Sequence, residues 1–455
     1  MVPRDHAAPA VTMESYFRDV AAALDGLVQA GETYTAWFSA EASDFVRMSR
    51  GKVRQPGSVV QRYVGVDLIR GARHATQLLS LAGDLAADRR SIASAVAAAR
   101  AALADAGDDP HLLIATDVRS SRETRGAPLP PAEVIVDAAL EAARGTDLVG
   151  LYAGGPMYRG FANSHGQRNW HEAHAFNFQW SLYHRADKAV KSALSGFAWD
   201  PAQFAAKMDE ARVELGYMTR PAKALAPGKY RTFLTPAAME DVASMMCWGG
   251  FSARALATKQ SSFTRMQGGG DGAQRLDPRV TIAEATSDGV APAFQAEGFV
   301  RPARVPLIEG GRLVGSLVSP RTAREFGLAA NGANGDEGPE ALEMAPGTLA
   351  ARDALGALGT GLYVGNLHYL NYSDRPAARI TGMTRFATFW VEGGKIVAPV
   401  DVLRFDDTLF RMLGANLDAL TAETELLLAS DSYRERQLAS MRLPGALLSE
   451  MTFTL

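Results

Sequence analysis

The densest group of side chains able to do chemistry in this 455-residue chain is Trp170-His171-Glu172-Ala173-His174, followed by His184. On a helix, two imidazoles three or four residues apart share a face and can bind one zinc ion. The flanking residues set a different geometry. His174, Phe176, Phe178, Trp180 and Leu182 alternate with Ala173, Ala175, Asn177, Gln179 and Ser181, the period-two pattern of a half-buried strand with one apolar face. On a strand His171 and His174 point to opposite faces. His174 and His184 share a face but stand roughly 33 Å apart at ~3.3 Å per residue. No two of these histidines can meet on one ion within the strand, so they are read as strand residues.

Three other segments carry a chemical reading and a plainer one. Gly268-Gly269-Gly270-Asp271-Gly272 has the glycines of a phosphate cradle, but no Lys-Ser or Lys-Thr follows and no apolar strand leads into it, which predicts an exposed loop. Cys247 sits among Met245, Met246 and Trp248 on an expected helix. There it is a small buried hydrophobe, unless a histidine from elsewhere makes it a nucleophile. His368 lies in a run crowded with polar and aromatic side chains, Gly365-Asn366-Leu367-His368-Tyr369-Leu370-Asn371-Tyr372, with Asp374, Arg375, Arg379 and Arg385 close behind. These groups can form ion pairs at an aromatic strand end, or hold a peptide carboxylate or backbone.

Composition narrows the classes. Lysine and arginine total 47 against 50 aspartates and glutamates, a net charge of -3, so there is no basic excess to hold a phosphate backbone and nucleic acid is not an expected partner. One cysteine excludes a disulfide within the chain, and with eight histidines it leaves little material for a metal site. Arg4, Asp5, Glu14, Arg18 and Asp19 interrupt every apolar run near the N-terminus. The apolar stretch 92–104 contains Arg100 and is shorter than the ~20 residues a bilayer needs. A cytoplasmic protein without membrane contact is expected.

The length suggests two or three domains. After a tail at 1–11, helical spacing predicts an amphipathic helix over 12–28. Short strands over 33–39, 45–48, 59–69 and 75–79, punctuated by Gly51, Pro56 and Arg70-Gly71, predict an antiparallel meander. Helices follow at 84–106 and 131–144, a strand-rich block at 147–198 and a helix at 201–215. The proline-rich stretch 221–227 reads as a linker, placing an α+β domain of antiparallel strands with flanking helices at 12–220 and a β-rich domain at 221–455. In the second, a strand at 230–234 leads to a helix with Thr235 as N-cap and Pro236 in its first turn. Hairpins turn at Gly310-Gly311 and Gly393-Gly394, and 331–339 reads as an exposed loop.

The C-terminal half resembles a known family. Pro306-Leu307-Ile308-Glu309-Gly310-Gly311-Arg312-Leu313, Thr322-Ala323-Arg324, Gly361-Leu362-Tyr363-Val364, Trp390-Val391-Glu392-Gly393-Gly394-Lys395-Ile396 and Pro399-Val400 look like the TldD/PmbA family in order and spacing. Upstream, Asn163-Ser164-His165-Gly166 and the alternating strand after it are similar to that family's N-terminal half, so the resemblance covers most of the chain. It implies a β-rich C-terminal domain of the TldD/PmbA type. The family has two kinds of subunit, alike in fold, which pair with each other. The TldD kind carries a His-Glu-x-x-x-His zinc helix and a later cysteine ligand; the TldE (PmbA) kind lacks both.

Where the zinc helix would lie, this chain reads Met245-Met246-Cys247-Trp248-Gly249-Gly250-Phe251-Ser252-Ala253-Arg254, and after Gly361-Leu362-Tyr363-Val364 the one ligand-capable side chain close by is His368. The resemblance therefore implies a noncatalytic TldE-like subunit with no metal of its own. Its implied partner is a TldD-like metallopeptidase chain holding the zinc, with that chain's glutamate as general base, and the substrate is unfolded peptide. His368, Asn371, Asp374, Arg379 and Arg385 are the candidate substrate-binding residues. Thr381-Gly382-Met383-Thr384-Arg385 departs from the family's Thr-Gly-Asp-Phe-Ser pattern, which leaves substrate choice open. Two other readings stay open: a peptidase active on its own through His368 or Cys247, and a stand-alone peptide-binding or regulatory protein.

Overall fold

The computed structural model of the chain describes residues 12–185, 188–268 and 272–454. The tail expected at 1–11 and the centre of the glycine-rich loop, 269–271, lie outside the described residues.

Helix α1 (Met13–Asp25) forms where Tyr16, Phe17, Val20 and Leu24 recur on one buried face, and the Thr12 hydroxyl caps it by accepting from the Ser15 N–H at 3.1 Å. It packs with α2 (Leu85–Ala102) on a seven-stranded sheet. The strands are β1 (Thr33–Ser49), β2 (Lys52–Arg70), β3 (Arg73–Ser80), β4 (Ser121–Arg125), β5 (Asp147–Asn163), β6 (Arg168–Arg185) and β7 (Lys188–Gly196). Their order is β3-β2-β1-β5-β6-β4, with β7 also on β6; the neighbours are antiparallel except β4, which runs parallel to β6. Helices α3 (Ala132–Ala142) and α4 (Pro201–Met218) complete this unit. The even face of β6 buries Phe176, Phe178, Trp180 and Leu182 in one cluster with Phe204 and Met208 of α4, the Phe178 and Phe204 rings stacking at 5.4 Å.

Two expectations for this half need correcting. Pro56 does not break the chain: β2 runs through it, paired to Val46, and β3 covers β2 from residue 63 onward, so Pro56 sits where the other edge of β2 has no strand partner. Nor is β6 buried on one face only. Residues 173–178 are buried on both, because Ala173 and Ala175 pack against Val290, Leu428 and Leu438, and the Asn177 Nδ2–H donates to the Leu428 carbonyl at 2.8 Å. The small residues of the polar-looking face are an interface.

The second unit begins with β8 (Gly228–Leu234) and α5 (Pro236–Cys247). Then come α6 (Ala253–Ala257), β9 (Ile282–Glu284), β10 (Val305–Glu309), β11 (Arg312–Leu313), α7 (Pro320–Phe326), β12 (Ala341–Met344) and α8 (Ala354–Leu358). Long strands close it: β13 (Gly361–Asp374), β14 (Arg379–Glu392), β15 (Lys395–Pro399), β16 (Arg404–Thr408), β17 (Leu417–Leu428) and β18 (Ser440–Phe453). β8 pairs with β13 on one side and β18 on the other, and β13-β14-β16-β18 completes a closed ring of strands. Leu234, Leu362, Val364, Ile380, Phe405 and Met451 from that ring share a core with Met239, Val242 and Met246 of α5. The architecture is α+β, as expected. The stretch 331–339 is no exposed loop: Glu337 is fully buried, its carboxylate accepting from the Ser252 hydroxyl at 2.6 Å and the Ser319 N–H at 2.8 Å. No helix among the described residues is long and apolar enough to cross a membrane.

Candidate functional site

A cleft of about 400 Å³ opens where the first sheet meets α5 and the β13–β14 hairpin. The register of the first sheet builds one wall: Leu151 stands beside Gln179, and Val149, Ser181 and Lys191 form a row across β5, β6 and β7. Helix α5 supplies the second. Its buried face carries Ala238, Met239, Val242, Ala243, Met245 and Met246, which leaves Glu240 and Asp241 to the cleft. Thr235 fixes the helix start twice, accepting from the Ala238 N–H at 3.2 Å and donating to the Gly365 carbonyl at 2.7 Å.

The third wall is the hairpin. Between the pairs Val364–Thr388 and Asn366–Arg385, β14 carries one residue more than β13, and Phe386 takes a φ of 57° there. A bulge of this kind re-aims neighbouring side chains. Arg385 stands opposite Asn366 and diagonal to His368, and its Nη1 reaches 2.6 Å from His368 Nε2. An arginine nitrogen can only donate, so His368 accepts at Nε2 and is the neutral imidazole. Partial burial, then the positive charges of Arg385 and Lys191, hold its pKa below the usual 6.5. Asn366 is only 7% exposed and its Oδ1 has no hydrogen-bond partner.

The carboxyls of the cleft shift the other way. Burial, reinforced by Asp241, pushes Glu240 up to about 7. Burial also pushes Asp241 up to about 6, with Lys191 opposing it. The cleft therefore sets a neutral imidazole, with Arg385 and Lys191, beside two acids whose burial favours the protonated form. Behind it, the Tyr363 hydroxyl donates to Glu214 at 2.9 Å, and burial raises Glu214 to about 7.

Of the five candidate residues, the structure brings together His368 and Arg385. The other three stand toward the tip of the hairpin and do not line the cleft. Asn371 Oδ1 accepts from the Tyr372 N–H, Asp374 Oδ1 accepts from the Ala377 N–H in the turn, and Arg379 pairs with Asp406 at 2.6 Å. Cys247 ends α5 partly buried, and desolvation holds its thiol well above the usual range, the opposite of an activated nucleophile. His171 bonds the Val290 carbonyl at 2.9 Å and Glu123 at 3.2 Å, while His174 meets Glu172 at 2.8 Å; both are structural. Among the described residues, no group of three or more His, Cys, Asp and Glu side chains is placed to hold a metal ion. The sequence reading missed Glu240, Asp241, Lys191 and Asn366. The acidic pair was legible as the polar side of α5, whereas nothing in the local pattern brings Lys191 to a helix in the other unit.

Residues 227–455 match the model of the PmbA/TldA metallopeptidase C-terminal domain. The chain belongs to the TldD/PmbA family. No curated protein matches it in sequence. Its fold is similar to that of TldE from Thermococcus kodakarensis, with a TM-score of 0.76 and 12% identity over 97% of this chain and 100% of that one. A Thermotoga maritima protein described as a candidate modulator of a DNA gyrase gives 0.73 at 14% identity over 97% and 100%. A protein of the same description from Bacteroides thetaiotaomicron gives 0.71 at 15% identity over 98% and 99%. Within the TldD/PmbA fold of this chain, Gly361-Leu362-Tyr363-Val364 opens the strand that leads into the cleft, and Gly310-Gly311 and Gly393-Gly394 turn the two hairpins, all four glycines at positive φ.

Proposed function

We propose that this chain is a noncatalytic, TldE-like subunit of a TldD/TldE-type peptidase, which pairs in the cytoplasm with a zinc-bearing TldD-like chain and holds unfolded peptide in the cleft between its two units. The observation that carries the reading is the make-up of α5: the helix after Thr235-Pro236 presents Glu240 and Asp241 and no histidine, and Cys247 at its end stays a thiol. Those groups do not make a zinc site, which needs three or four converging ligands. In such a complex the metal chemistry, polarising the scissile carbonyl and activating water, is supplied from the partner.

This chain's share is binding. Arg385 and Lys191 offer N–H donors, Asn366 offers an unused acceptor, and the mixed polar walls suit an extended backbone rather than a folded surface. Co-expression with a TldD-like chain, followed by size analysis and an unfolded-peptide cleavage assay of each chain alone and of the mixture, tests the proposal. Association, with cleavage confined to the mixture, is the expected result. Zinc bound stoichiometrically by this chain alone, with cleavage lost on replacing His368 or Cys247, would replace it with an independently active peptidase. No association would leave a stand-alone binding protein.

A further inference from the structure

Lys191 and Arg385 are the cations lining the cleft, and among the described residues neither closes an ion pair, although the charge of Lys191 is felt by Glu240 and Asp241. Glu240 and Asp241 line the same cavity, yet among the described residues Lys191 forms no ion pair with either, and Arg385 directs Nη1 at the neutral Nε2 of His368. Arg385 is exposed and Lys191 half-buried, so both can present charged N–H donors to an incoming carboxylate. Asn366 is a second, independent pointer to a ligand. Its Oδ1 is buried without a donor, on the strand pair that carries Arg385, and the period-two alternation of β13 sets Asn366 and His368 on one face. An acceptor of this kind stays unsatisfied until a donor reaches it. Two N–H-bearing cations and one lone acceptor, lining one cavity, complement a group that offers a carboxylate with an amide N–H a few ångströms behind it.

We propose that the cleft captures the free C-terminal end of a peptide, its α-carboxylate between Lys191 and Arg385 and its last amide N–H on Asn366 Oδ1. The assignment rests on the peptide-binding reading above and deepens it: the substrate class becomes peptides with an unblocked C-terminus, held by that end. A side-chain carboxylate presents no amide N–H at the same fixed spacing, which is the distinction Asn366 makes.

Fluorescence anisotropy with the full-length chain tests this. Two N-terminally labelled unstructured hexapeptides of one sequence are compared, one with a free C-terminal acid and one C-terminally amidated. The free acid is expected to bind at least about tenfold more tightly, and Arg385→Gln or Lys191→Met to narrow that gap, with melting curves confirming that the variants fold. Equal affinity for the two peptides in the unaltered chain overturns C-terminal capture while leaving peptide binding intact. Binding of neither peptide overturns both. Because the decisive comparison is between two peptides on the unaltered protein, a variant that fails to fold does not obscure it.

Discussion

Arg385 Nη1 stands 2.6 Å from His368 Nε2, and the guanidinium thereby selects the neutral imidazole with its proton on Nδ1. Protonation would place two donors face to face beside Lys191. His368 should therefore titrate below 6.5, and Arg385→Met should raise its pKa toward the ordinary value. Histidine resonances followed by NMR against pH check this; an unchanged midpoint in the variant would show that the contact does not form in solution.

Glu214 makes stability depend on pH in the direction opposite to a salt-bridged carboxylate. Its folded pKa of about 7 lies above the ordinary 4.5, so between those values the folded chain keeps a proton that the unfolded chain has released. Its contribution is intact below about pH 4.5, is lost as pH rises to about 7, and is constant above. Glu214→Gln keeps an acceptor for Tyr363 and removes this term, while Glu240 and Asp241 remain in both proteins. Urea unfolding of the two proteins across that window should show the variant gaining on the parent by on the order of 2 kcal/mol; parallel curves would be the contrary result.

Thr235 is both cap and anchor of α5. Thr235→Ala removes the cap to Ala238 and the hydrogen bond to Gly365, and should lower stability by about 1–2 kcal/mol, read from the denaturation midpoint. Thr235→Ser retains both bonds and should recover most of the loss.

Side-chain bonds to backbone carbonyls reinforce the apolar contact between the two units. Asn177→Ala leaves the Leu428 carbonyl without its donor in a buried interface and should cost about 1–3 kcal/mol. Hydrogen exchange should then show faster opening along the facing parts of β6 and β17, with α1 and α2 unaffected.

The sequence disclosed those parts of the molecule whose neighbours are near in the chain. The period-two run of β6, the Thr235-Pro236 start of α5 and the two Gly-Gly hairpins were legible because local sterics and hydrogen bonding decide them. His368 and Arg385 were legible as a site because they face each other across one hairpin. Asn371, Asp374 and Arg379 share that hairpin but do not line the cleft: neighbouring backbone N–H groups take Asn371 and Asp374, and Asp406 on β16 takes Arg379. What stayed hidden needed contact across the whole fold: the second buried face of β6, the buried Glu337, and Lys191 opposite a helix of the other unit. Alternation reports that a face is polar, and cannot tell water from a partner sheet.

The ring of strands that holds α5 is sealed by β18, and this sets an order of assembly. Synthesis delivers residues 440–453 after every strand they bind, so β8 leaves the ribosome with both edges bare, gains β13 on one of them only when residues 361–374 emerge, and waits longer still for β18 on the other. Until then β8, β13, β14 and β16 form an open sheet with unpaired backbone at both ends, the condition in which nascent chains pair with the wrong neighbour. A ribosome stalled just before β18 should expose a chaperone client whose first unit is already folded.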